Sequence, residues 1–284
     1  MILTETSQVF ETSEVFSLIS ILKLMKMKRK LILLFLCFPV LVFSQNHEQF
    51  KKEQFTKNGD TLNYRVMFPE GFSEEKEYPL ILFLHGAGER GNDNESQLTH
   101  GSEMFLKNRN KFEAIVIFPQ APKEDYWARV DVNRETMPLQ FDFQNKKTAT
   151  KSLQLVMGLM DTMSSKDFVD TNRIYVGGLS MGGMGTYEIL YKRLNMFAAA
   201  FAICGGANPE IAKAYPKDFN IWIFHGKKDD VVQPKYSEAM ARAINHHGGN
   251  AKLSLYPNDN HNSWDSAFAE PNLLPWLFSQ KRTP

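Results

Sequence analysis

Ser180 sits in Gly178-Leu-Ser180-Met-Gly182, with a glycine two places before it and two places after it. This is the spacing of a nucleophile elbow. A strand turns so sharply into a helix that small residues are needed on both sides, and the hydroxyl is pushed out above a sheet. The same turn aims the main-chain N–H of Met181 at the place where an oxyanion would form. A serine hydroxyl is a poor nucleophile at neutral pH. It needs a base to take its proton and a carboxylate to orient that base. The spacing alone is a weak signal, so the rest of the chain has to supply those partners.

On a strand–elbow–helix scaffold the partners follow in the order serine, then aspartate or glutamate, then histidine. Asp229 lies in His225-Gly-Lys-Lys-Asp229-Asp-Val-Val232, just past a short apolar run; its neighbour Asp230 competes for the role. Of the seven histidines, His261 alone lies in a polar loop past the last apolar run, and it is the expected base. His246 and His247 fall at a predicted helix end, where an imidazolium suits the dipole. His85 and His225 each precede a glycine at a strand end and read as structural. Asp259 and Asp265 stand too close to His261 in sequence to orient it from across a site. The glycine-rich string His85-Gly-Ala-Gly-Glu-Arg-Gly91 offers a second oxyanion donor at Ala87 or Gly88, since glycines let a backbone approach a ligand closely. Glu89 and Arg90 either brace this loop as a pair, or Arg90 faces an anionic group on a substrate. No histidine and cysteine cluster has metal-ligand spacing. The chemistry implied is acyl transfer through an acyl-serine, with no metal and no cofactor.

These groups must be held by strand ends. Residues 50–55 and 60–68 read as an antiparallel hairpin, with Asn58-Gly59 as the turn. Apolar runs at 78–84, 114–118, 174–177, 198–203, 221–224 and 252–256 read as buried strands. Segments 146–166, 183–193, 235–246 and 263–271 carry helical spacing. Residues 121–145 read as a long irregular stretch. Strands alternating with helices predict an α/β fold: a doubly wound, mostly parallel sheet with an antiparallel N-terminal hairpin. In such a sheet ligands bind beyond the carboxyl ends of the strands, where Ser180, Asp229, His261 and the loop after His85 all fall.

Composition narrows the class. The chain has 284 residues, a hydrophobic content of 43% and a formal net charge of +1. No basic surface argues for a nucleic-acid partner. Lys26-Met-Lys28-Arg29-Lys30 precedes a thirteen-residue apolar run, 31–43, and Val42-Phe43-Ser44 offers a cleavage site before Gln45. This is the layout of a cleavable export signal over residues 1–44; the run is short for a membrane span. An uncleaved anchor is the alternative. The position of the basic patch points to translation starting at Met25 or Met27. Residues 45–284 then form one catalytic domain, exported to a periplasm or the medium, with no lasting membrane partner. Only Cys204 remains past the signal, so that domain holds no internal disulfide.

Together these stretches resemble the α/β-hydrolase superfamily. They are most similar to its secreted esterases of the feruloyl and acetylxylan type and to the carboxylesterases related to dienelactone hydrolases. The matching strings are Leu84-His-Gly-Ala-Gly-Glu-Arg-Gly91, Phe118-Pro-Gln-Ala-Pro122 with Trp127, Gly178-Leu-Ser-Met-Gly-Gly183, His225-Gly-Lys-Lys-Asp229 and His261-Asn-Ser-Trp264. The resemblance implies a triad of Ser180, Asp229 and His261, and a substrate pocket bordered by Gln120 and Trp127. It also implies an ester substrate, either a small molecule or one linked to a polysaccharide. A serine peptidase of the same fold would use every residue named.

Overall fold

The computed structural model describes residues 47–282, apart from 145 and 147. The predicted signal segment lies outside the described residues. Among the described residues there are ten strands: β1 (Lys51–Lys57), β2 (Asp60–Met67), β3 (Tyr78–Leu84), β4 (Ile115–Gln120), β5 (Val130–Asn133), β6 (Gln140–Phe143), β7 (Val169–Leu179), β8 (Ala199–Ile203), β9 (Asn220–Gly226) and β10 (Asn250–Tyr256). Eight form one sheet in the order β1-β2-β4-β3-β7-β8-β9-β10. From β4 to β10 every pairing is parallel, whereas β1 and β2 add an antiparallel edge. Asn58 and Gly59 both take positive φ, 54° and 82°, as a two-residue hairpin turn twisted with its strands requires.

The helices are α1 (Ser102–Lys107), α2 (Lys151–Ser164), α3 (Met181–Lys192), α4 (Lys235–His246), α5 (Trp264–Phe268) and α6 (Leu273–Ser279). Strand alternation sends side chains to opposite faces. Leu80, Leu82, Leu84, Val176 and Ile223 pack against α2, α3 and α4 on one face. Ile81, Phe83, Tyr175, Phe201 and Phe224 pack with residues of α1, α5 and α6 on the other. Every residue of β3 is buried, which explains why its sequence is apolar without alternation.

The chain leaves β3 for β4 on one side and later returns to β7 on the other. That reversal opens a crevice beyond the ends of β3 and β7, the usual ligand position in such sheets.

Two expectations need correction. The helix predicted from residue 146 begins at Lys151, because Thr150 caps it: its hydroxyl accepts from the Leu153 N–H at 3.3 Å, satisfying a donor of the first turn. Residues 121–145 are not irregular throughout, since β5 and β6 pair as an antiparallel ribbon. The alternation in Val130-Asp-Val and Gln140-Phe-Asp-Phe spans only three or four residues in each strand, too few to mark them in sequence. Among the described residues, no helix is long and apolar enough to cross a membrane.

Candidate active site

Ser180 joins β7 directly to α3, with φ 51° and ψ −116°. A positive φ at a non-glycine residue costs roughly 1–3 kcal/mol, so neighbours must hold it. The Ser180 N–H donates to the Ile203 carbonyl at 2.8 Å, and the Ser180 carbonyl accepts from Met184 N at 3.0 Å. A side chain at Gly182 would overlap the Leu84 carbonyl, and one at Gly178 would stand 2.7 Å from the Leu84 oxygen. The flanking glycines are therefore required by the closeness of β3 to the elbow.

His261 lies in the loop after β10. Its Nε2 is 3.0 Å from Ser180 Oγ, and its Nδ1 is 2.8 Å from Asp229 Oδ2. Asp229 follows β9, with its side chain fully buried, whereas Asp230 is exposed. Oδ1 of Asp229 accepts from the N–H groups of Val231 and Val232, each at 2.9 Å. Oδ2 accepts from His261 and also from His225 Nε2 at 3.1 Å. Burial pushes the Asp229 carboxyl upward. The bonds from His225 and His261 outweigh burial and hold it well below the usual carboxylate range. His225 is buried, with Nε2 2.7 Å from the Val232 carbonyl and Nδ1 2.7 Å from Ser237 Oγ. Two acceptors face Nε2, so it carries the proton. Cys204 packs beneath, with its sulfur within 4.8 Å of the ligand atoms of Asp229 and His261; burial pushes that thiol up.

Residues Ala87–Glu89 form a single 3-10 turn after β3, and Ala87 and Gly88 both line the cavity above Ser180. Met181 opens α3, so its N–H belongs to the first turn, where no carbonyl of the same helix can reach it. The loop is tied down from behind. His85 donates Nδ1–H to the Gly86 carbonyl at 2.6 Å and accepts the Ala121 N–H on Nε2 at 3.1 Å. Burial lowers the pKa of this imidazole to about 4, so it stays neutral and keeps both bonds. Arg90 donates to the carbonyls of Ala87 at 3.0 Å and Lys123 at 2.8 Å, and its guanidinium lies 5.2 Å from the centre of the Tyr126 ring. It braces the loop and does not pair with Glu89.

Gln120 and Trp127 do not border the pocket. Trp127 is fully buried and donates its indole N–H to the His85 carbonyl at 3.0 Å. Gln120 is buried as well. Its amide donates to the Glu89 carbonyl at 3.2 Å and Asp93 Oδ1 at 2.8 Å, and its carbonyl accepts from Asn94 N at 2.8 Å. Both hold the loop after β3 from behind, where an indole N–H and a primary amide can satisfy turn carbonyls that water does not reach.

A cavity of about 250 Å³ is lined by Ser180 and His261, by the apolar side chains of Leu139, Phe141, Met184 and Val231, and by Glu89, His100 and Trp264. Leu139 and Phe141, with Arg134, come from the β5–β6 ribbon and its turn, and the sequence reading missed all three. A larger groove of about 470 Å³ runs past Tyr191, Arg193 and Arg282 at the other end of the sheet and contains none of Ser180, Asp229 and His261.

Comparison with known proteins agrees with this architecture. Residues 72–270 match the model of the Phospholipase/Carboxylesterase family. The bifunctional acetylxylan esterase/xylanase XynS20E of Neocallimastix patriciarum is 31% identical over 164 residues, covering 58% of this chain and 21% of that protein. The acyl-protein thioesterase 1 homolog 2 of Dictyostelium discoideum is 27% identical over 180 residues, covering 56% of this chain and 73% of that one. The crystal structure of a thermostable esterase superposes with a TM-score of 0.72 at 31% identity, covering 83% of this chain and 64% of that one. The chain thus spans about a fifth of the bifunctional acetylxylan esterase/xylanase and under two thirds of the solved esterase. A parallel sheet with a strained serine between β7 and α3 and a family match over most of the described chain lead to one conclusion: this chain belongs to the phospholipase/carboxylesterase family of α/β-hydrolases.

Proposed function

We propose that the chain is a serine esterase that cleaves carboxylic esters through an acyl-serine intermediate. The observation that carries this reading is the continuous line of hydrogen bonds from Ser180 Oγ through His261 to Asp229, at 3.0 and 2.8 Å. Ser180 O–H gives its proton to His261 Nε2 as the oxygen attacks the ester carbonyl. Asp229, ionised and held by four donors, keeps the His261 Nδ1–H in place and stabilises the imidazolium that forms. The N–H of Met181, with that of Ala87 or Gly88, receives the oxyanion, each such donor supplying about 2.7–4 kcal/mol. His261 then protonates the departing alcohol. In the second half it takes a proton from water, which attacks the acyl-serine and releases the acid.

The finer reading is an exported enzyme acting on acyl or aryl esters of polysaccharides. Its supports are the export-signal layout of residues 1–44, the similarity to the acetylxylan esterase/xylanase, and a cavity lined by both apolar and polar side chains.

Labelling with a fluorophosphonate probe tests the core of this. The wild type should be labelled and Ser180→Ala should not; labelling that survives the substitution refutes the assignment. Turnover of 4-nitrophenyl acetate against aminoacyl anilides separates esterase from peptidase. A panel of feruloyl, acetyl and longer acyl esters then ranks the acyl group.

A further inference from the structure

The buried residues of α4 are Ser237, Met240, Ala241 and Ile244. Positions i, i+3, i+4 and i+7 form the apolar stripe by which a surface helix meets its core. Three of the four fit that rule, and Ser237 does not. Its side chain is fully buried, where a hydroxyl costs free energy unless a partner meets it. A serine inside a helix commonly turns its hydroxyl back to a carbonyl of the preceding turn. Ser237 reaches across to other strand ends instead. Its Oγ lies 2.7 Å from His225 Nδ1, at the end of β9, and 3.1 Å from the carbonyl oxygen of Gly205, just past β8.

The hydroxyl has one proton, and geometry decides where it goes. Asp229 Oδ2 and the Val232 carbonyl both face His225 Nε2, at 3.1 and 2.7 Å, so the ring proton sits there. A neutral imidazole carries a single N–H, which leaves a lone pair on Nδ1. Were the Ser237 proton given to Gly205, that lone pair would face an oxygen lone pair at 2.7 Å with no hydrogen between them. The proton therefore lies toward Nδ1. The bonds then run one way: Ser237 O–H to His225 Nδ1, and His225 Nε2–H to Asp229 Oδ2. The same Oδ2 receives His261 Nδ1–H at 2.8 Å. With the opposite tautomer, His225 would turn a lone pair toward Oδ2 and loosen the carboxylate that orients the base.

Resting on the serine-esterase reading, we propose that Ser237 is a positioning residue for acyl transfer: it fixes the tautomer of His225 and, through that ring, the carboxylate of Asp229 against His261. Ser237 touches no substrate. It ties the acid of the triad to α4 as well as to its own loop.

Kinetics and nitrogen NMR test this together. Ser237→Ala should lower kcat on 4-nitrophenyl acetate about fivefold with KM little changed, the effect of losing roughly one neutral hydrogen bond. In a His225→Ala background the same substitution should cost nothing more, because Ser237 acts only through that ring. A wild-type kcat in a Ser237→Ala protein of normal thermal midpoint overturns the proposal. So does a loss of equal size in both backgrounds, which is the mark of a packing role. Nitrogen NMR of the histidine side chains, with His225 assigned by its loss in His225→Ala, needs no Ser237 variant. The wild type should show a protonated Nε2 and a bare Nδ1 on His225 at neutral pH; a proton on Nδ1 overturns the proposal. If Ser237→Ala does not fold, that measurement decides alone. Absence of wild-type turnover on 4-nitrophenyl acetate, or turnover that survives Ser180→Ala, removes the esterase reading itself. The tautomer, read on the resting protein, then still tells whether Ser237 sets His225.

Discussion

His225 and His261 meet at a single oxygen: both donate to Oδ2 of Asp229, at 3.1 and 2.8 Å. With two main-chain donors on Oδ1, the carboxylate has no freedom to rotate. Asp229→Asn should lower kcat on 4-nitrophenyl acetate by about ten-thousand-fold, because an amide N–H₂ facing Nδ1 forces the wrong tautomer on His261. His225→Ala should lower kcat about tenfold with KM little changed, because Asp229 is then held by three donors. A His225→Ala protein with wild-type kcat and a normal thermal midpoint would show that the second imidazole is dispensable.

The elbow stores strain at Ser180, whose φ is 51°. Ser180→Gly removes the hydroxyl and places in that backbone region a residue that adopts it freely. Turnover should vanish while stability rises by about 1 kcal/mol, the relief of strain less the extra chain entropy of glycine. Urea denaturation beside the wild type checks both the sign and the size.

His85 gives the fold a pH dependence of defined sign. Its pKa falls from 6.5 in the unfolded chain to about 4 in the fold. Between those values the unfolded state binds the extra proton, so this residue makes stability increase with pH. Its contribution is complete above pH 6.5 and lost as pH falls toward 4. At about 1.4 kcal/mol per pH unit, that amounts to roughly 3 kcal/mol. His85→Gln keeps a donor and an acceptor but does not titrate, and the difference between the two stability–pH curves should be confined to that window. Parallel curves for the two proteins across pH 4 to 6.5 would refute the assignment.

Phe141 belongs to the apolar lining of the cavity. Phe141→Ala should shift the acyl-length optimum of 4-nitrophenyl esters toward longer chains and raise KM for the acetate. An unchanged optimum would place the acyl group elsewhere.

The sequence made most of this architecture legible where local chemistry is self-sufficient. Tyr78–Leu84 reads as a buried strand because all seven residues are apolar or suited to one, and every one is buried. Ser180 reads as an elbow because only glycines fit against the Leu84 carbonyl. Asp229 could not be separated from Asp230 with certainty in sequence, because which one turns inward depends on the bond from Asp229 N to the Gly226 carbonyl at 3.2 Å. Gln120 and Trp127, expected to border the substrate pocket, instead brace the loop after β3. Polar side chains that brace a turn from within look, in sequence, like side chains that line a pocket. The β5–β6 ribbon was missed because four-residue strands carry little periodicity and are held by distant partners. Phe141 and Phe143 pack on Tyr236 at 5.7 and 5.6 Å, and Leu139 N donates to the Val231 carbonyl at 3.2 Å.

That ribbon pairs with no strand of the main sheet, yet it supplies part of the apolar lining of the cavity. On the serine-esterase reading, reactivity and acyl selectivity reside on separable pieces of chain: Ser180, His261 and Asp229 beyond the ends of β7, β10 and β9, and much of the apolar lining on the segment between β4 and α2. A ribbon that shares no strand pairing with the main sheet can be varied in sequence and length without breaking the ladder of that sheet. Relatives can thus diverge in the acid they release while keeping the same bond-breaking apparatus, and a graft of residues 130–143 is the natural unit for re-aiming this scaffold.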